Sequence, residues 1–287
     1  MTDMTTEAFF LPASTDAGGL RYCLYQRAAG ACRGALVYVP PFAEEMNKSR
    51  RMAALLALEL ARQGIATLRI DLHGCGDSSG DFADARWRHW RDDVGLASAW
   101  LQQRSGHRPA LLGLRLGALL ALDYAASASP AYAPGHIILW QPVLDGATFL
   151  TQFLRLRMAG AMMSATGAAG NTTAALRAML AAGLSLEVAG YELSAELAQA
   201  IDGLKLAPLG RAGCALHWFD IGPPARAPSP ATDQALIALR QRGAEVAMTR
   251  IAGPAFWGSQ EIATCQPLLE ATAALARWLA MELVDAL

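Results

Sequence analysis

The sequence predicts an α/β fold, a mostly parallel central sheet flanked by helices, with a helical segment inserted between two of the strands. Three observations predict it. Apolar runs of strand length alternate with helical patterns, as expected where crossover helices join parallel strands. Between Gly146 and Leu209 the strand signals stop, and Ala, Met, Leu and Gly dominate. The chain has 287 residues, 53% hydrophobic and 17% charged, enough to bury the core of one large domain.

The elements follow in order. Arg21 to Gln26 reads as an early edge strand. Ala35-Leu36-Val37-Tyr38-Val39 reads as a buried strand stopped by Pro40-Pro41, because proline cannot donate to a sheet ladder. Met52 to Ala61 carries a helical apolar pattern ended by Gly64, and Thr67 to Ile70 is the next strand. That strand runs into the Gly-rich loop Asp71-Leu72-His73-Gly74-Cys75-Gly76-Asp77-Ser78-Ser79-Gly80. Val94 to Leu101 is helical, Ala110-Leu111-Leu112 is a strand, and a helix covers Leu116 to about Ala126. Ile137 to Trp140, Ala215 to Phe219 and Val246 to Ile251 complete the strands, and the last helix spans Leu268 to Val284. A core of residues 1–145 and 210–287 and an insertion of residues 146–209 are thus expected. A structureless loop of that length is rare, so the insertion is expected to be a helical lid. Met158, Met162, Met163 and Met179 would give it an adaptable apolar underside. Pro223 to Pro230 reads as a surface loop.

Composition narrows the function. The net charge of −1 leaves no basic excess to neutralise phosphates, so no nucleic-acid partner is expected. The start, Met-Thr-Asp-Met-Thr-Thr-Glu, lacks the basic and apolar regions of a signal peptide. No run of about 20 apolar residues predicts a membrane span. Five scattered cysteines fit reduced thiols in a cytoplasmic protein. Neither a structural metal nor a cofactor is expected, since no C-x-x-C pair or His/Cys cluster occurs.

Gly113-Leu114-Arg115-Leu116-Gly117 carries the most information. A strand running into G-x-S-x-G and straight into a helix is the nucleophile elbow of α/β hydrolases, where flanking glycines permit a sharp turn. Here the strand and helix are in place, but Arg115 occupies the nucleophile position. A guanidinium cannot attack a carbonyl. The triad order is Ser, then acid, then His. Asp220, after the strand Ala215 to Phe219, is the candidate acid. The loop where His is expected reads Gly253-Pro254-Ala255-Phe256-Trp257-Gly258-Ser259, and no histidine follows His217.

The chain resembles the α/β-hydrolase superfamily, with Asp71, Gly74, Gly76 and Ser78 matching its D-x-x-G-x-G-x-S segment. More narrowly it resembles the exosortase A system-associated hydrolase family, second type. The Pro40-Pro41-Phe42-Ala43-Glu44-Glu45-Met46-Asn47-Lys48-Ser49-Arg50-Arg51 segment, the Arg-centred elbow, Trp140 to Gly146 and Phe256-Trp257 carry that resemblance. It implies a cytoplasmic bacterial protein linked to exopolysaccharide or envelope biogenesis, acting as hydrolase of an ester or related acyl compound.

Arg115 sits at a helix N-terminus, where a cation is disfavoured unless something negative compensates. Glu44 and Glu45, in the loop after the strand Ala35 to Val39, Glu261 and Asp220 are the candidate carboxylates. Arg115, Glu45, Asp220 and Glu261 are therefore the candidate catalytic set, with Glu45 or Glu261 as a general base on water. Glu44, Leu114, Leu116, Trp140, Phe256 and Trp257 are the candidate binding residues, for a small-molecule acyl or saccharide ligand. Arg115 either joins loops through a carboxylate or reads an anionic ligand, which would make the protein a non-catalytic binder. Cys75 near His73, Ser78 and Ser259 are alternative nucleophiles. Arg155 and Arg157 fit a solvated helix face better than an anion clamp.

Overall fold

The computed structural model describes residues 5–13, 17–163, 172–223 and 228–285, with side chains described outside 160–163 and 277–285. The strands are β1 (Thr6–Pro12), β2 (Leu20–Gln26), β3 (Gly34–Val39), β4 (Ile65–Ile70), β5 (Ala110–Leu114), β6 (His136–Trp140), β7 (Leu186–Val188), β8 (Tyr191–Leu193), β9 (Ala215–Gly222) and β10 (Glu245–Ala252). The helices are α1 (Glu44–Arg62), α2 (Trp87–Ser105), α3 (Leu116–Ser127), α4 (Gly146–Met163), α5 (Thr173–Ala181), α6 (Ala195–Asp202), α7 (Pro230–Gln241) and α8 (Gln266–Asp285).

Eight strands form one sheet in the order β1-β2-β4-β3-β5-β6-β9-β10. β1 and β2 pair antiparallel to their neighbours, and every pairing from β4 to β10 is parallel. The fold is thus the expected α/β-hydrolase architecture. β3, β5 and β6 are apolar and buried through nearly their whole length, because helices cover both faces. One core layer joins α2, α3 and the inserted segment to the sheet. The other holds α1 and α8 against Leu112, Leu114, Trp140 and Phe219.

Several boundaries differ from expectation. β2 is not the edge, because β1 pairs along its outer side. β1 alternates exposed with half-buried residues, as an edge strand does, and its sequence lacks a continuous apolar run. α1 begins at Glu44 rather than Met52, since Met46, Ser49, Met52 and Leu56 continue one buried stripe through a polar stretch. α2 begins at Trp87 rather than Val94, with Trp87, Trp90, Val94 and Leu101 on its buried face. The 146–209 segment is not purely helical: α4, α5 and α6 enclose the short hairpin β7-β8. Three-residue strands carry too little sequence pattern to show. Met158 packs against the core, Met179 is exposed, and the side chains of Met162 and Met163 lie outside the described ones, as does part of the Pro223–Pro230 loop.

All five cysteines are free. Among the described residues no helix is long and apolar enough to cross a membrane, and no group of three or more His, Cys, Asp or Glu could hold a metal ion.

Candidate active site

The elbow is built as its glycines require. A Cβ on Gly113 would run into the backbone of Gly117 and Ala118, and one on Gly117 into the carbonyl oxygens of Val39 and Pro40. Between them Arg115 adopts φ 55°, ψ −117°, a region that L side chains rarely occupy. Its backbone is fixed on both sides. Its N–H donates to the Trp140 carbonyl at 3.0 Å, and its carbonyl accepts from Ala118 and Val143. The turn that would present a serine hydroxyl therefore presents a guanidinium at the N-terminus of α3.

Arg115 is compensated there. Its Nε donates to Glu45 Oε1 at 3.2 Å, and its guanidinium lies 5.6 Å from the centre of the Trp257 ring. Glu45 stands in the first turn of α1, not in a loop, where a carboxylate also favours the helix dipole. Burial raises the Glu45 pKa, against the opposing pull of Arg115, and its Oε2 is buried without a hydrogen-bond partner. Trp257 comes from the loop between β10 and α8, so an aromatic face closes that side of Arg115.

Past Arg115 opens a cavity of about 320 Å³ at the C-terminal ends of β6 and β9. Gln141, Val143, Leu144 and Asp145 after β6, Thr148, Phe149 and Gln152 of α4, Trp218, Asp220 and Ile221 of β9, and Ser229 and Thr232 at the start of α7 line it. Asp220 lies within β9, which runs on to Gly222, and pairs with Arg250 across the β9–β10 register at 3.5 Å. It is therefore an ion-paired wall residue beside Arg115 in the same cavity. Among the described residues Arg115 uses only Nε for hydrogen bonding, leaving its terminal amino groups without a hydrogen-bond partner.

The other candidates separate. Glu261 is exposed and pairs with nothing among the described residues. Glu44 is exposed and accepts from Asn47 and from Tyr191 of β8, so it ties α1 to the inserted segment. Leu114 is buried in β5, and Leu116 walls a separate small apolar cavity with Phe42 and Trp90. Trp140 and Phe256 are fully buried in the α1–α8 layer, where the Trp140 indole donates to Thr272 Oγ1 at 3.0 Å. Neither walls the cavity; large aromatics near a strand end serve packing here. Sequence reasoning did not single out Gln141, Asp145, Trp218, Ser229 or Arg250. Gln141 and Asp145 stood in a quoted motif, whereas Trp218 and Arg250 read as ordinary strand residues.

None of the alternative nucleophiles Cys75, Ser78 and Ser259 is armed. Burial pushes the Cys75 thiol far up, and no hydrogen bond joins it to His73. Ser78 donates to the Asp71 carbonyl at 2.5 Å and accepts from Tyr22, bracing the loop. Ser259 donates to the Phe256 carbonyl. Arg155 is exposed, and Arg157 donates to the Glu187 carbonyl.

No curated protein matches the sequence. Among solved structures, Est1E from Butyrivibrio proteoclasticus with ferulic acid bound is similar over 97% of this chain and 100% of its own, at 14% identity and TM-score 0.64. A highly thermostable carboxyl esterase from Bacillus coagulans, in complex with glycerol, matches over 97% and 100%, at 12% identity and TM-score 0.62. Alpha/beta hydrolase domain-containing protein 10 from mouse matches over 98% and 99%, at 16% identity and TM-score 0.58. These likenesses are of fold. A family model described as Serine aminopeptidase, S33 matches residues 30–178, which hold the Gly-rich loop, the elbow and the strands that carry them. The chain therefore belongs to that family of α/β hydrolases, and Arg115 stands at the centre of its Gly113–Gly117 turn.

Proposed function

We propose that the protein uses the hydrolase cavity to hold a small acyl or saccharide ligand by an anionic group, with Arg115 as the recognition residue. The observation that carries this is the free end of Arg115 at the cavity, on a turn that normally presents the nucleophile. Asp220, already paired with Arg250, completes no triad. Residues 146–209 act as the lid, supplying one wall of the cavity from α4, and residues 1–145 and 210–287 form the core. The resemblance to exosortase A system-associated hydrolases supports a role for the ligand in cytoplasmic steps of exopolysaccharide or envelope biogenesis.

Titration with small carboxylates, followed by thermal unfolding, tests this. The wild type is expected to gain stability and Arg115→Gln to gain none. Equal gains would overturn the proposal.

A second reading is favoured by Glu45. Burial raises its pKa, as a general base requires, and esterases share the fold; the reading needs the Arg115 pair to open and admit water to Glu45. In that reading the protein hydrolyses an ester or related acyl compound with water activated by Glu45. Turnover of activated acyl esters and thioesters, lost in Glu45→Gln but untouched by serine-directed inhibitors, would establish it. A buffer-level rate throughout would favour binding.

A further inference from the structure

The cavity beside Arg115 has a charge pattern that narrows the ligand further. Three helices of eight or more residues direct their N-termini at it: α3 from Arg115, α4 from Asp145, and α7 from its capping residue Ser229. Each such end acts as about half a positive charge. The charged side chains lining the cavity are Arg115, Asp145 and Asp220, and the partners of the paired ones are Glu45 and Arg250. Arg115 is the one cation among the described lining residues, and Asp145 and Asp220 add carboxylates to the same walls. One guanidinium suits a single carboxylate, and the neighbouring negative charges oppose a dianion.

The second observation is the polar lining, which includes groups that accept from hydroxyls. Trp218, only 2% exposed, adds an apolar wall, its indole N–H being closed off from the cavity. Asp145 uses Oδ1 for the Thr148 N–H and has no ion pair among the described residues. Gln152 and Thr148 sit one turn apart on α4. Fixed carboxylates facing a ligand require donors from it, and a plain fatty acid has none. The volume, about 320 Å³, lies at the small end of the roughly 300–1,000 Å³ that ligand pockets span.

We infer that the cavity takes a polyhydroxylated monocarboxylate of monosaccharide size, a sugar acid. Arg115 holds the carboxylate, and Asp145 and Gln152 bond the hydroxyls. The inference rests on the anion-reading role of Arg115 and adds the hydroxyl-bearing body of the ligand.

Isothermal titration of the purified chain at constant ionic strength tests it, with glucuronate, glucose, hexanoate and glucose 6-phosphate as probes. Glucuronate is expected to bind at least about tenfold more tightly than the other three. Arg115→Gln should weaken it by about a hundredfold. Gln152→Ala, on the exposed side of α4, provides a variant that does not disturb the core, and it should also weaken glucuronate. Hexanoate binding as tightly as glucuronate, in an Arg115-dependent way, would overturn the sugar-acid inference and leave anion recognition standing. Glucose 6-phosphate binding tightest would overturn the charge argument. No Arg115-dependent binding of any probe would overturn the inference, and failure of the simple carboxylates as well would remove the reading beneath it.

Discussion

Arg115 concentrates the consequences of a single residue. Its backbone stays in a region that costs a non-glycine residue about 1–3 kcal/mol, and the surroundings hold it there through hydrogen bonds from Val143 and to Trp140. The strain belongs to the turn and is independent of the side chain on it. Restoring the motif with Arg115→Ser should therefore place a hydroxyl at the cavity without making a serine hydrolase. Among the described residues no histidine lines the cavity, and Trp257 lies against the guanidinium. Assayed on activated esters, this variant is expected to stay at the buffer rate; turnover blocked by a serine-directed inhibitor would refute that. The glycine two positions on is constrained by packing. In Gly117→Ala the new Cβ meets the carbonyl oxygens of Val39 and Pro40, both backbone atoms that cannot swing away. The variant is expected to lose about 1–3 kcal/mol, read from its denaturation midpoint.

Elements differ in how plainly the sequence announces them. β3, β5 and β6 are legible because a strand covered on both faces must be apolar throughout, and their residues are. α2 is half hidden, since Arg86 to Asp93 reads as polar although Trp87 and Trp90 carry its buried stripe. The elbow is legible from spacing alone, but the partner of Arg115 is not. Glu44 and Glu45 are adjacent, and only the phase of α1 turns Glu45 to Arg115 and Glu44 to Tyr191. Trp140 shows the same limit from the other side, because one strand position decides between cavity and core, and it faces Thr272. Within 146–209, the three helices are tied by one side chain. Arg177 of α5 donates to Asp202 of α6 at 2.6 Å, and to the Ala147 carbonyl and Thr151 Oγ1 of α4 at 2.6 and 2.7 Å. Arg177→Met should cost about 1–2 kcal/mol, given partial exposure of the pair. It should speed proteolytic cleavage within 146–209 ahead of the sheet core; unchanged cleavage would show that apolar packing alone holds the segment.

Across the whole molecule, a parallel sheet sends its two ends to different tasks. The C-terminal ends of β5, β6 and β9 carry Arg115, Gln141 and Asp220 at the cavity, while the opposite ends of β6 and β9 bring His136 and His217 together. Their ring nitrogens Nδ1 and Nε2 lie 3.4 Å apart with the rings stacked. Burial, with a smaller push from His136, lowers the His217 pKa from 6.5 to about 4. The sign follows from linkage. Between those values the unfolded chain takes up a proton that the folded one refuses, so acid favours unfolding. The contribution of His217 is complete above pH 6.5 and is lost as pH falls toward 4, by about 3 kcal/mol in total. Burial lowers the pKa of His73 and His89 too, with the same sign, whereas Asp93, raised by burial to about 6, acts oppositely. The wild type alone therefore mixes these groups, and the difference between wild type and His217→Phe separates one of them. Urea midpoints measured for both between pH 7 and 4 should show the wild type losing more stability, the gap changing mainly between pH 6.5 and 4. A constant gap across that range would mean that His217 keeps its ordinary pKa in the folded sheet, and that the paired rings share a proton as readily as water would supply one.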